Sequence, residues 1–71
     1  MNLKALAAVR KRRNITQAQI AKALGVNRST YNRIERGEIE MKAIYLPIIA
    51  KELGLEIDEL SKVLFFNFDV A

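Results

Sequence analysis

Five polar side chains between residues 28 and 36 carry the strongest hydrogen-bonding chemistry in this sequence. At about 100° per residue they share one face of a predicted helix; they are Arg28, Ser29, Asn32, Arg33 and Arg36. Arginine can donate two parallel bonds to guanine O6 and N7, and asparagine can pair with adenine N6 and N7. The face therefore favours contact with base edges in a DNA major groove, and its alternative interpretation is a solvated basic surface.

The helices around this face are predicted from their end signals. Thr16 with Gln19 three residues later forms a capping box, and Gly25 ends the second helix. Asn27 then caps the third helix. Only residues 25–27 separate these two helices, and a connection this short makes them cross sharply, as in a helix-turn-helix.

Three more predicted helices complete an all-α, compact five-helix domain. They cover about residues 3–13, about residues 44–53 with Pro47 in the first turn, and a segment that begins near Glu56. On the third helix, Tyr31 and Ile34 mark the side that is predicted to be buried. The domain is predicted to cover residues 1–64, and an apolar tail, residues 65–71, either continues the last helix or forms a short strand.

Composition limits the classes of function. A chain of 71 residues is one domain, and without Cys or His it offers no disulfide, no metal site and no reason to expect a cofactor. The sequence shows no signal peptide, membrane span, glycine-rich phosphate loop or nucleophile placed beside a base. We therefore expect a soluble cytoplasmic protein that is not an enzyme and has no membrane partner.

The charge is divided between the two halves of the chain. Residues 1–36 carry a net charge of +8, whereas residues 37–71 carry −4. This asymmetry favours one basic face that binds a polyanion.

A long stretch of the sequence resembles the lambda repressor/Cro-type helix-turn-helix, or XRE, family. Residues 16–37 read TQAQIAKALGVNRSTYNRIERG, and the similarity continues through LPIIAKELGL at residues 46–55, covering about residues 3–64 in all. The resemblance implies a DNA-binding regulator. It further implies that Gln17 donates to a phosphate and braces the first residues of the recognition helix, and that Arg10 and Glu35 form an internal ion pair. The alternative for Gln17 is a surface residue in the first turn.

Two departures from the family pattern affect the expected contacts. Tyr31 occupies a position that usually holds Ile or Val, so the third helix is expected to pack slightly differently. Glu38 and Glu40 follow that helix where basic residues are common, and this leaves Lys42 as the basic candidate there. The candidate DNA-contacting residues are Gln17, Asn27, Arg28, Ser29, Asn32, Arg33, Arg36 and Lys42. For Lys11, Arg12 and Arg13, phosphate contact and a solvated role stay open.

One recognition helix covers only a few base pairs. We therefore expect a repressor that binds as a homodimer to two half-sites about 34 Å apart. The candidate dimer surfaces are Ile39 and Met41, in a predicted loop at residues 38–43, and the apolar residues at and after the end of the domain, Leu64, Phe65, Phe66, Phe68 and Val70. The tail could instead fold back on its own core. The alternative function is an antitoxin or protein-interaction module whose partner is a toxin or a separate regulatory domain, and a large exposed apolar patch would favour it.

Overall fold

The computed structural model describes residues 1–66 of the chain. This part contains five α-helices, joined by turns and loops, and no strand. In chain order they are α1 (Leu3–Arg12), α2 (Gln17–Leu24), α3 (Arg28–Glu35), α4 (Tyr45–Leu53) and α5 (Ile57–Phe65). The predicted all-α, five-helix fold is confirmed. Helix α5 continues to Phe65, one residue into the predicted tail, whereas Phe68 and Val70 lie outside the described residues.

The two predicted N-terminal caps have the expected geometry. The backbone N–H of Gln19 donates to Thr16 Oγ1 at 3.1 Å, and the Thr16 N–H donates to Gln19 Oε1 at 2.7 Å. At the start of α3, the Thr30 N–H donates to Asn27 Oδ1 at 2.8 Å. Each cap satisfies backbone donors that a helix leaves without a partner in its first turn, so the starts of α2 and α3 are fixed locally.

The turn between α2 and α3 depends on a left-handed residue. Gly25 has φ +75°, a conformation that glycine adopts without the steric penalty of a Cβ. Asn14, which follows the C-terminal cap of α1, lies in the same region, with φ +58°. Pro47 is the third residue of α4, within the first turn, where its missing N–H is not needed.

The core lies between all five helices. Its buried residues are Leu6, Val9, Ile20, Ala21, Tyr31, Ile34, Ile49, Ala50, Leu53, Leu55, Leu60, Val63 and Leu64. Helix α2 packs against α3 and α4, while α1 packs against α3 and α5. Because Tyr31 and Ile34 anchor one side of α3 in this core, its opposite side is presented to solvent.

Tyr31 is the residue that departs from the usual aliphatic pattern, and the core encloses it completely, with 0% of its surface exposed. Its hydroxyl lies near the Glu35 carboxylate but makes no hydrogen bond of regular geometry among the described residues. Burial, followed by the neighbouring charge of Glu35, raises the pKa of Tyr31 well above its ordinary value. The phenol of Tyr31 is therefore neutral, and its hydroxyl uses only part of its hydrogen-bonding capacity.

We expect Tyr31→Phe to leave the free energy of unfolding unchanged or to raise it by up to about 1 kcal/mol, because it removes a buried hydroxyl that lacks a regular partner. Denaturant unfolding followed by circular dichroism measures this difference. A loss of more than about 1 kcal/mol would show that the hydroxyl makes a stabilising bond to Glu35.

Candidate nucleic-acid interface

Helix α3 presents the predicted polar face outward. Arg28, Ser29, Arg33 and Arg36 are exposed, and Asn32 is half-buried at the edge nearer α2. The Ser29 hydroxyl donates to the side-chain oxygen of the capping Asn27 at 2.8 Å. The structure thus brings five of the predicted site residues onto one side of α3 and its C-terminal cap, Arg36.

A buried ion pair fixes α3 against α1. Arg10 Nε donates to Glu35 Oε2 and Arg10 Nη2 to Oε1, both at 2.9 Å, which is the bidentate arrangement. Arg10 Nη1 also donates to the Ile15 carbonyl at 2.9 Å. Both side chains are more than nine-tenths buried, and the expected internal pair is confirmed.

The environment of Glu35 keeps it ionised. Burial on its own would raise the pKa of this carboxyl group. Hydrogen bonds from Arg10 and Gln17, the nearby hydroxyl of Tyr31 and the charge of Arg10 together outweigh burial and lower the pKa below its ordinary value. Glu35 is therefore a carboxylate at neutral pH, able only to accept hydrogen bonds.

Gln17 lies between this pair and the outer face of α3. Its Nε2 donates to Asn32 Oδ1 and to Glu35 Oε1, each at 3.1 Å. Both N–H groups of the side-chain amide therefore already donate within the protein. For the predicted phosphate contact, the side chain would have to give up one of these bonds, or the backbone N–H of Gln17 would have to donate instead. The residue that Gln17 braces is Asn32, in the middle of α3, rather than the first residues of the recognition helix. Sequence reasoning missed this link.

Two other predicted cations have internal contacts. Arg36 Nη2 lies 2.8 Å from Glu38 Oε2 in an exposed ion pair, so the acidic residue after α3 engages a candidate DNA contact directly. The Lys42 ammonium lies 5.8 Å from the centre of the Tyr45 ring, within the range of a cation–π contact.

Three other basic residues in α1 and at its C-terminal cap, Lys4, Lys11 and Arg13, have different surroundings. Arg13 Nη1 donates to the Leu53 carbonyl at 2.9 Å, at the end of α4, which gives this residue a structural role. Lys4 and Lys11 line an open cleft of about 1230 Å³ that Arg28 and Arg36 also line. The sequence left Lys11 open between two roles and did not single out Lys4. The cleft extends the basic surface from α3 to α1.

Comparison with known proteins agrees with this geometry. A family model described as helix-turn-helix matches residues 6–60, from α1 into the first turn of α5. The chain belongs to the lambda repressor/Cro-type (XRE) helix-turn-helix family. It is therefore a DNA-binding domain of the kind that regulates transcription, and the family is not one of enzymes. No curated protein and no solved structure matches the chain.

Among residues 1–66, none of the helices is both long and apolar enough to cross a bilayer.

In this XRE-type domain we expect Glu38→Gln to raise DNA affinity about twofold to fivefold near 0.1 M salt, the size of effect that exposed ion pairs produce. The substitution releases Arg36 and removes a negative charge beside the proposed interface. Fluorescence anisotropy with a labelled duplex measures the change. Glu40→Gln is the matched control, since it removes the same charge from the same exposed segment. An equal gain in both variants would contradict a role for the Arg36–Glu38 pair.

Proposed function

We propose that this protein is a sequence-specific repressor that binds double-stranded DNA as a homodimer and inserts the polar face of α3 into the major groove. The observation that carries the proposal is the outer surface of α3, where three arginines and Asn32 are presented together and no acidic side chain is exposed. The buried side of the same helix and the Arg10–Glu35 pair hold that surface rigidly.

The proposed contacts follow from the position of each side chain. Arg28, Arg33 and Arg36 have the donors for guanine O6 and N7 or for phosphate, according to how the helix lies in the groove. Ser29 and Asn27, at the start of α3, lie where the helix would approach the DNA. Gln17, at the start of α2, and Lys42, in the loop, are proposed backbone contacts. The N-terminus of α2 adds partial positive charge at this place.

The proposed dimer rests on the length of α3 and on exposed apolar side chains. Eight helical residues extend about 12 Å and so cover only a few base pairs. Beside the loop, Ile44 is 71% exposed and Ile39 is exposed as well, and Phe65 and Phe66 are exposed at the end of α5. We propose residues 1–64 as the DNA-binding domain and residues 65–71 as a dimer contact. Truncation after Leu64, followed by sedimentation, tests the tail: an unchanged dimer with an intact fold counts against it.

Selection of bound duplexes from a random DNA pool tests the proposed function. The expected result is a two-fold symmetric motif whose half-sites are about one helical turn apart. A single asymmetric half-site would contradict the dimer, and a folded protein that enriches no sequence at moderate salt would contradict sequence-specific binding.

The second candidate function is an antitoxin or interaction module, and the exposed side chains of Ile44, Phe65 and Phe66 favour it. A contiguous exposed apolar patch marks a site where another protein binds, and Phe65 and Phe66 are neighbours in the chain. The two functions can coexist in one chain. A neighbouring reading frame for a toxin, together with co-purification of its product, would support the second one.

A further inference from the structure

The acidic residue that follows α3 is fixed by the backbone that ends the helix. The Glu38 N–H donates to the Arg33 carbonyl at 2.9 Å, and the Gly37 N–H donates to the Ile34 carbonyl at 3.1 Å. With Gly37 at φ +80°, these two bonds form a Schellman motif. Glu38 therefore has a defined place beside the last turn of α3, although its side chain is exposed.

From this place, the Glu38 carboxylate holds one side of the Arg36 guanidinium. Arg36 Nη2 lies 2.8 Å from Glu38 Oε2, and 62% of the Arg36 side chain and 45% of the Glu38 side chain are exposed. An arginine has five N–H donors in a planar fork, so the remaining donors stay available to a ligand. Both residues line the cleft that Arg28 and Asn32 also line. Arg36 is thus oriented at the proposed interface before DNA binds.

A carboxylate beside an arginine affects its two kinds of DNA ligand differently. Guanine O6 and N7 are neutral acceptors, and a guanidinium that is already held in one plane loses less side-chain entropy when it donates to both. A phosphate is negatively charged, so its contact with Arg36 would place two anions against one guanidinium, where they repel each other. Glu38 therefore disfavours contact of Arg36 with phosphate and favours contact with a base.

We propose that Glu38 is a positioning residue that increases sequence selectivity, by directing Arg36 to guanine in the major groove and by lowering the affinity for unrelated DNA. The inference rests on the proposed major-groove binding by α3. It gives a role to the acidic residue that stands where basic residues are common in similar domains. Because phosphate contacts supply almost all of the affinity for unrelated DNA, a carboxylate that repels phosphate lowers that affinity most.

The test measures two dissociation constants for each full-length variant by fluorescence anisotropy at the same salt concentration. One is for the duplex selected from a random pool, and the other is for an unrelated duplex of equal length. Their ratio is the selectivity, which a uniform change in affinity or in the folded fraction does not alter. The variants are Glu38→Gln, Arg36→Ala and the double variant Arg36→Ala/Glu38→Gln. Glu40→Gln is the matched control, because it removes the same charge from the same exposed segment.

We expect Glu38→Gln to raise affinity about fivefold for the unrelated duplex and about twofold for the selected one, so that selectivity falls by a factor of about 2.5; exposed ion pairs have effects of this size. Glu40→Gln should leave the selectivity unchanged. Arg36→Ala should lose the preference at one base pair. Adding Glu38→Gln to Arg36→Ala should then change both affinities equally, because the carboxylate no longer has an arginine to direct.

Four results would overturn the inference while leaving major-groove binding by α3 intact. They are an unchanged selectivity in Glu38→Gln, an equal fall in Glu40→Gln, a further fall when Glu38→Gln is added to Arg36→Ala, and an Arg36→Ala variant that loses affinity equally on both duplexes. The last result would show that Arg36 binds phosphate. Failure of the wild type to select any sequence would overturn the proposed function itself.

Discussion

Arg10→Met should lower the free energy of unfolding by about 3–5 kcal/mol, the usual effect of removing one partner from a buried ion pair. The substitution leaves Glu35 as a buried carboxylate without its bidentate partner, and it removes the Arg10 bond to the Ile15 carbonyl. A domain of this size has a total stability of roughly 5–10 kcal/mol. The variant should therefore lose about a third or more of its stability, and at the low end of this range it would be partly unfolded without denaturant. Urea unfolding followed by circular dichroism measures the effect.

The double variant Arg10→Met/Glu35→Leu tests whether the loss of stability comes from a buried carboxylate left without its partner. Replacing both partners by apolar residues of similar size removes the uncompensated carboxylate and should recover most of the stability lost in the single variant. Equal losses in the single and double variants would show that packing at these two positions, and not the charge, determines stability.

Low pH should lower the free energy of unfolding of the wild type, because it also disrupts the Arg10–Glu35 pair. The pKa of Glu35 is lower in the folded protein than its ordinary value of 4.5, so the unfolded chain takes up the proton first as the pH falls. The stability from this carboxylate is complete above that ordinary pKa and is lost as the pH falls through the lower, folded value. The double variant should show a weaker acid dependence over the same range.

Arg33→Ala should weaken binding to the selected duplex by about 1–3 kcal/mol and relax the preference at one base pair. Arg33 is exposed in the last turn of α3, and no ion pair among the described residues holds it, whereas Arg36 is engaged by Glu38. Its removal therefore leaves the folded domain unchanged and deletes a contact that exists only in the complex. Anisotropy titrations with the selected duplex and with single-base variants of it measure both effects.

Lys51→Ala is the matched control for Arg33→Ala. It removes one positive charge from an exposed position on α4, outside the proposed face. We expect a small loss of affinity that is equal on all duplexes, because only long-range attraction changes. If Arg33→Ala also weakened binding equally on every sequence, Arg33 would be a contact to the DNA backbone and not to a base.

The sequence predicted the parts of this fold that depend on neighbouring residues. The capping box of Thr16 and Gln19, the left-handed Gly25 and the cap at Asn27 each act within a few positions, and all three have the predicted geometry. The buried stripe of α3 followed from helical periodicity in the same way. Asn2, which caps α1 through a 3.0 Å bond from the Ala5 N–H, carried the same kind of signal and was missed.

The features that the sequence could not supply join residues far apart in the chain. Gln17 and Asn32 lie 15 positions apart, and Arg13 meets the end of α4 across 40 positions. Such contacts depend on how the helices cross, which local patterns do not determine. The family resemblance anticipated one contact of this kind, between Arg10 and Glu35. It gave no indication that Gln17 joins that pair to Asn32, because this bond depends on the asparagine of this particular chain.

Base analogues in the selected duplex test most directly whether α3 binds in the major groove. Replacement of single guanines by 7-deazaguanine removes the N7 acceptor from the major groove, and replacement by inosine removes the N2 amino group from the minor groove. We predict that 7-deazaguanine at the contacted positions lowers affinity on the order of tenfold, that Arg33→Ala no longer responds to it at one of these positions, and that inosine has little effect. Unchanged binding to every 7-deazaguanine duplex, with a loss on inosine, would contradict the proposed recognition by α3.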